Sequence, residues 1–181
     1  MSQQNYKWKQ LEERVIFRNR FIGLRNDLVL RPDGQQVEYV VIEGRDFVTI
    51  ICQTVDNKII LVDAFPYPWQ LKTKTTVGGM IDEGEKPEEA AIRETEEETG
   101  HKVKNITFLG KTRISFLNTV WNYLYFANVE KNNSKPIDPN EIITVYEFSI
   151  DQIHNLIYNG DIIHSSTINA FLLAKFYNLI K

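Results

Sequence analysis

Glu94, Glu97 and Glu98 stand at i, i+3 and i+4 in the stretch E-T-E-E-E. On a helix this spacing brings three carboxylates onto one face. Each like-charge pair so placed costs roughly 0.2–0.5 kcal/mol. Glu96 joins Glu97 and Glu98 in the C-terminal turn of the same segment, the end at which the helix dipole disfavours negative charge. Arg93 is the one nearby cation on that helix. Taken alone, such a run reads as the solvated face of a surface helix. Taken as chemistry it reads as a site, because two local rules of stability are broken at once. A divalent cation relieves the repulsion, and hard oxygen ligands suit Mg²⁺ or Mn²⁺.

The segment that must position these acids has clear ends. Pro87 suits the first helical position, where its missing N–H costs nothing. Glu88 and Glu89 follow in the first turn, the favourable end of the dipole. Gly100 is a natural residue just past the last turn. Upstream, Gly78 and Gly79 let a backbone approach a bound ion closely.

Gly79, Glu85, Arg93, Glu94, Glu97, Glu98 and Gly100 fall in one register: G, five residues, E, seven residues, R-E, two residues, E-E, one residue, G. This resembles the signature box of the Nudix family. Thr95 and His101 depart from it, each standing where an apolar residue is usual. We expect Thr95 to weaken the helix's core contact without touching the acids. We expect His101 to be a half-exposed residue at the entry of a strand.

The resemblance implies an α/β (α+β) fold, the Nudix α/β/α sandwich with a mixed sheet, preceded by antiparallel strands. It implies metal ligation by Glu97 and Glu98, with Glu94 as ligand or general base. It implies that Arg93 orients a neighbouring glutamate, that Glu85 pairs with Arg93, and that the Gly79 carbonyl joins the metal shell. Gly100 closes the motif. The implied reaction is Mg²⁺- or Mn²⁺-dependent hydrolysis of a nucleoside diphosphate linked to another group. The cation neutralises the pyrophosphate, acidifies a bound water and aligns it with phosphorus, while a carboxylate takes the proton. Glu141 is the first candidate for a further base outside the box, ahead of Glu130 and Glu147; the competing reading of Glu141 is an exposed acid at a strand end.

V-G-G-M-I-D-E-G-E-K-P-E-E-A-A and N-E-I-I-T-V-Y-E-F-S-I-D-Q resemble the ADP-ribose pyrophosphatase branch. That branch implies a homodimer built on the N-terminal sheet. Its recognition features depart here. D-A-F-P (63–66) stands where an R-Q-Y-R-type stretch is common, Thr75 where a glutamate is common, and S-F-L-N-T (115–119) lacks the branch's proline. ADP-ribose therefore leads among NDP-sugars, dinucleotides and related diphosphates. Competing classes are a ligand-binding or regulatory Nudix fold without turnover, and an enzyme acting on nucleoside triphosphates.

Composition bounds the rest. The chain has 181 residues, 43% of them hydrophobic, and a net charge of −3, which fits one domain with a proper core and no nucleic-acid partner. The single cysteine, Cys52, excludes an internal disulfide and lies in an apolar run. No leader or membrane-spanning apolar run stands out, so we expect a soluble cytoplasmic protein.

We divide the chain into an N-terminal strand region, 1–45, as the dimerisation element, and a hydrolase domain, 46–181. Residues 10–43 read as antiparallel strands around the turn Pro32-Asp33-Gly34-Gln35. Phe47–Val55 and Lys58–Phe65 are near-continuous apolar runs, as buried strands would be. The stretch 66–74 reads as loop, marked by Pro66 and Pro68. Its Tyr67 and Trp69 suit stacking on a base or sugar or closure of the core. Its Lys72 and Lys74 suit a phosphate or simple solvation. Strands follow around 103–109, 119–129 and 142–148. Ser149 and Gln152 form a capping box for a short helix stopped by Gly160. A last helix opens at Ser165 or Ser166, with Ile168, Phe171, Leu172, Phe176 and Leu179 expected on its buried face.

Overall fold

The computed structural model describes residues 7–132 and 144–180. These form two compact units, one within Met1–Arg45 and Arg113–Trp121, the other within Asp46–Thr112 and Asn122–Lys181. In the first, β1 (Lys9–Glu12), β2 (Val15–Arg18), β3 (Ile22–Leu30) and β4 (Gln36–Gly44) make an antiparallel sheet in which β3 pairs with each of the others. The β3–β4 turn closes where the sequence places it. Arg31 N–H donates to Gln35 O at 2.8 Å, and Gly34 takes φ +86° at no steric cost.

The remaining elements are β5 (Phe47–Thr54), β6 (Ile59–Ala64), β7 (Thr73–Thr75), β8 (Val77–Met80), α1 (Pro87–Thr99), β9 (His101–Arg113), β10 (Trp121–Lys131), β11 (Val145–Phe148), α2 (Ile150–Tyr158) and α3 (Ser165–Phe176). Their strands form a seven-stranded sheet ordered β11-β6-β5-β10-β9, with β7 paired to β6 and β8 to β5. It is mixed: β10 runs parallel to β5, while β6 and β8 run antiparallel to it.

Both faces of this sheet are covered, and alternation sorts the side chains. Ile51, Ile59, Leu61, Leu124 and Phe126 pack with Ile153, Ala170, Phe171 and Ala174 of α2 and α3. Val48, Ile50, Cys52, Ile60, Ala127 and Val129 pack with Ala90 and Ala91 of α1. A strand buried on both faces must be apolar at every position, which is why β5 and β6 show little polar alternation. The layering is α/β/α. No helix among the described residues is long and apolar enough to cross a membrane.

Several expectations need correction. Residues 66–74 are not all loop. Tyr67–Trp69 form a 3₁₀ turn and Thr73–Thr75 form β7, because β6 leaves an open edge that Thr73 to Thr75 can pair with. The last helix does not bury Leu172 or Phe176, which are exposed. It buries Thr167, Ala170, Phe171 and Ala174, an i, i+3, i+4, i+7 stripe of mostly small residues. Small side chains let α3 approach the sheet closely. It does start at Ser165, as expected, with His164 as its N-cap. His101 is buried, not half-exposed: its Nδ1 lies 2.9 Å from Thr99 O, an acceptor for its proton. Thr95 is fully buried and satisfies its hydroxyl on Ala91 O at 2.7 Å.

Candidate active site

Two glycines permit close approaches at β8, Gly78 to the backbone of β5 and Gly79 to α1. In β8, Gly78 pairs with Thr49 and Gly79 with Val48 of β5. A Cβ on Gly78 would overlap the Val48 carbonyl oxygen, and one on Gly79 would overlap the Glu94 carboxylate. The space a side chain would fill is taken by backbone in one case and by an acid of α1 in the other. Gly78 N–H in turn donates to Glu98 Oε2 at 3.3 Å.

The helix starts and stops as its residues dictate. Pro87 occupies the first turn, and the Glu89 carboxylate accepts Lys86 N–H at 3.1 Å. Gly100 ends it at φ +66°, its N–H donating to Glu96 O at 3.0 Å. Before it, the turn 82–85 is closed by Glu85 N–H on Asp82 O, and Asp82 N–H donates to Glu85 Oε2, both at 3.0 Å.

Arg93 is the hub. Its Nε and Nη2 donate to the two oxygens of Glu85 at 2.9 and 3.0 Å, a bidentate fork. Nη1 donates to Glu94 Oε1 at 2.8 Å and Glu97 Oε2 at 3.0 Å, and Nη2 also reaches Met80 O at 3.1 Å. Hydrogen bonding to Glu85, with help from Glu94 and Glu97, holds the guanidinium protonated more firmly than usual against the opposing effect of burial. The same bond, with the Asp82 N–H, holds the Glu85 carboxyl below its ordinary range.

Glu94, Glu97, Glu98, Glu85, Arg93 and Gly79 are thus brought together on α1, β8 and the intervening turn. The donor set is all carboxylate and carbonyl oxygen, which suits a hard divalent cation. Gly79 leaves the clearance that Glu94 uses. Arg93 bridges Glu94 and Glu97 while Glu98 turns to Gly78, and among the described residues no three acid, histidine or cysteine side chains are already gathered as a metal cluster. The chemistry of the donors fits the ion.

Tyr67 is exposed, and Trp69 lies beside His164 at the start of α3, ring centroids 6.1 Å apart. Glu141 falls outside the described residues. Glu130 pairs with Lys104 at 3.0 Å and Glu147 with Lys131 at 3.5 Å.

Two clusters were not foreseen. Asp63 accepts from Lys72 at 2.8 Å, Lys74 at 3.0 Å and the Tyr146 hydroxyl at 2.8 Å. Burial pushes its carboxyl upward, but these three donors outweigh it and bring the group down to about 2. Both lysines are therefore committed to Asp63 and are not simply solvated. The β6–β7 register, Asp63 opposite Lys74, was the missing signal. Thr167 forms the second cluster, its Oγ1 2.8 Å from Thr75 Oγ1, 3.1 Å from His164 Nδ1, and accepting Thr76 N–H at 3.1 Å. Burial lowers the pKa of His164.

Comparison with known proteins agrees with this geometry. Residues 44–171 match the NUDIX domain family, and residues 8–42 match the nucleoside diphosphate sugar hydrolase N-terminal domain. The chain belongs to the Nudix family and is a Nudix hydrolase. It is 27% identical to the methanol dehydrogenase activator of Bacillus methanolicus, over 97% of each chain. It is 26% identical to an ADP-ribose pyrophosphatase of Bacillus subtilis strain 168, covering 90% of this chain and 92% of that one. A crystal structure described as an ADP compounds hydrolase superposes with a TM-score of 0.83 at 20% identity, over 97% and 96% of the two chains, which establishes the shared fold.

Proposed function

We propose that this hydrolase cleaves the pyrophosphate bond of a nucleoside diphosphate joined to another moiety, with ADP-ribose or another NDP-sugar as substrate and Mg²⁺ or Mn²⁺ as cofactor. The observation that carries this is the complete box acid set, with Glu85, Glu94 and Glu97 held by Arg93 and Glu98 held by the Gly78 N–H. The Bacillus subtilis relative named as an ADP-ribose pyrophosphatase supports the substrate class.

When bound, the divalent cation neutralises pyrophosphate oxygens and acidifies a water. Glu97, Glu98 and the Gly79 carbonyl would hold it. Glu94, steadied by Arg93, accepts the water's proton. Arg93 itself is anchored by Glu85, so its reach to Glu94 and Glu97 stays fixed as charge changes nearby. Products are a nucleoside monophosphate and a phosphorylated second moiety. Glu141 remains our candidate for a second base, and Tyr67 and Trp69 for contacts to the substrate's rings. The exposed apolar residues of the N-terminal sheet, among them Val15, Ile16 and Phe17, support a homodimer. Sedimentation as a monomer at micromolar concentration would remove it.

The test is product release from ADP-ribose, GDP-mannose, UDP-glucose, NADH, diadenosine polyphosphates and nucleoside triphosphates, with each metal, beside E97Q. Preference for one diphosphate, reduced at least hundredfold in E97Q, is the expected result. Equal turnover by E97Q would take the box out of the mechanism. The Bacillus methanolicus relative, named as an activator of a dehydrogenase and aligned over nearly its whole length, favours one second reading, regulation of a partner enzyme. No turnover on any substrate, with retained calorimetric binding, would turn the choice towards it.

A further inference from the structure

The chain changes partner at Thr76. β7 ends with Thr75 opposite Val62 of β6, and β8 begins with Val77 opposite Ile50 of β5. Thr76 stands between the two ladders and is buried. A buried backbone N–H at such a corner needs an acceptor from outside the sheet. Thr167 of α3 supplies it: its Oγ1 accepts Thr76 N–H at 3.1 Å. The Thr76 hydroxyl donates to Ile50 O. The corner is thus fixed to α3 through its N–H and to β5 through its hydroxyl.

A helical threonine commonly returns its hydroxyl to the carbonyl one turn back. Thr95 does so on Ala91 O at 2.7 Å, and Thr99 on Thr95 O at 2.6 Å. Thr167, buried, turns its oxygen to another element instead. That oxygen also lies 2.8 Å from Thr75 Oγ1 and 3.1 Å from His164 Nδ1, and Thr75 Oγ1 lies 3.0 Å from the same nitrogen. With a neutral imidazole accepting at Nδ1, the two hydroxyl protons fill two sides of this triangle and leave Thr167 Oγ1 a lone pair for Thr76 N–H. β7 has its own ties to the chain before α3: Asp161 O accepts Lys74 N–H at 3.2 Å and the Thr73 hydroxyl at 2.9 Å. Thr167 carries the tie onward to the start of β8.

We propose that Thr167 is a positioning residue for the Gly78–Gly79 stretch of β8. These glycines follow the corner by two and three residues. Gly78 N–H meets Glu98 Oε2 at 3.3 Å, and Gly79 leaves room for the Glu94 carboxylate. The strand is therefore held by α1 from one face of the sheet and by α3 from the other. Thr167 acts through Thr76 and touches neither metal nor substrate. Its role rests on the proposed place of the Gly79 carbonyl in the metal shell.

Three variants of the full chain, T167V, T167S and S149A, test this by two readouts that need no turnover: amide hydrogen exchange along Val77–Met80 and calorimetric binding of Mn²⁺. Valine keeps the shape of threonine and leaves Thr76 N–H buried without an acceptor. Serine keeps the acceptor. S149A removes the α2 N-cap oxygen that accepts Gln152 N–H at 3.3 Å, and so lowers stability away from β8. T167V should exchange about tenfold faster at these amides and bind Mn²⁺ about tenfold more weakly, as happens when a group that orients a ligand is lost. T167S and S149A should keep the wild-type Mn²⁺ affinity. Unchanged Mn²⁺ affinity in T167V, or an equal loss in T167S or S149A, would overturn the proposal. Mn²⁺ binding weakened in T167V alone, with no hydrolysis of any diphosphate by wild type, would remove the proposed function and leave the positioning role standing. A wild-type protein that binds no Mn²⁺ would overturn both.

Discussion

Gly79 and Glu94 occupy one another's space: the volume of a Cβ at position 79 is already filled by the Glu94 carboxylate. The glycine is required by an acid fifteen positions later in the chain, not by its own backbone angles. The acid is held in turn by Arg93, so β8, α1 and the turn between them form one interlocked part.

G79A forces the Glu94 side chain out of its place. We expect about a hundredfold loss of activity, the scale of a displacement of about 1 Å at a reacting site. We expect little loss of stability, because the atoms displaced are the free end of a flexible side chain. Urea unfolding beside steady-state kinetics measures both, and wild-type activity in G79A would show that the position of Glu94 does not matter.

R93K keeps the charge and loses the fork. A lysine cannot span both oxygens of Glu85 while also reaching Glu94, Glu97 and Met80 O. Expected losses are about 2 kcal/mol in stability and about a hundredfold in kcat. A stable but slow R93K would assign Arg93 to the chemistry alone.

Asp63 makes stability depend on acid. Its folded pKa of about 2 lies below the ordinary carboxyl value, so its contribution is present above about pH 4 and lost as pH falls through about 2. The shift is worth about 2 kcal/mol at neutral pH. D63N should be less stable than wild type by that amount at pH 7, and the gap should close on acidification. A gap of constant size across that window would refute the linkage.

Cys52 is fully buried, and burial, which outweighs the Thr95 contact, pushes its thiol up to about 12. The native protein should react with a thiol reagent at least about a hundredfold more slowly than the urea-unfolded chain. Comparable rates would mean that the sheet beneath α1 opens readily.

The sequence carried the box helix almost completely, because its caps and its acids are local signals: Pro87 starts it, Gly100 ends it, and spacing alone aligns Glu94, Glu97 and Glu98. The both-faces-buried strands were equally plain from β5 and β6. What could not be read was pairing across the chain. Asp63 meets Lys74 only because β7 adds to β6, and Thr167 meets Thr75 only because α3 lies close on the sheet. The buried stripe of α3 differs from its hydropathy pattern for a related reason. Large apolar residues such as Phe176 and Leu172 dominate a hydropathy reading, while close helix–sheet packing selects Ala170 and Ala174.

The parallel pairing of β10 with β5, Asn122 beside Phe47 through Val129 beside Thr54, has a consequence for how the protein is made. The whole acidic box lies between these two strands in the chain. A nascent polypeptide therefore presents Arg93 and its glutamates before the strand that completes the sheet beneath them has been synthesised. Parallel partners of such separation join late, so α1 must wait, helical or not, for its floor. A ribosome-tethered chain ending before Trp121 should carry the box in full and hydrolyse nothing.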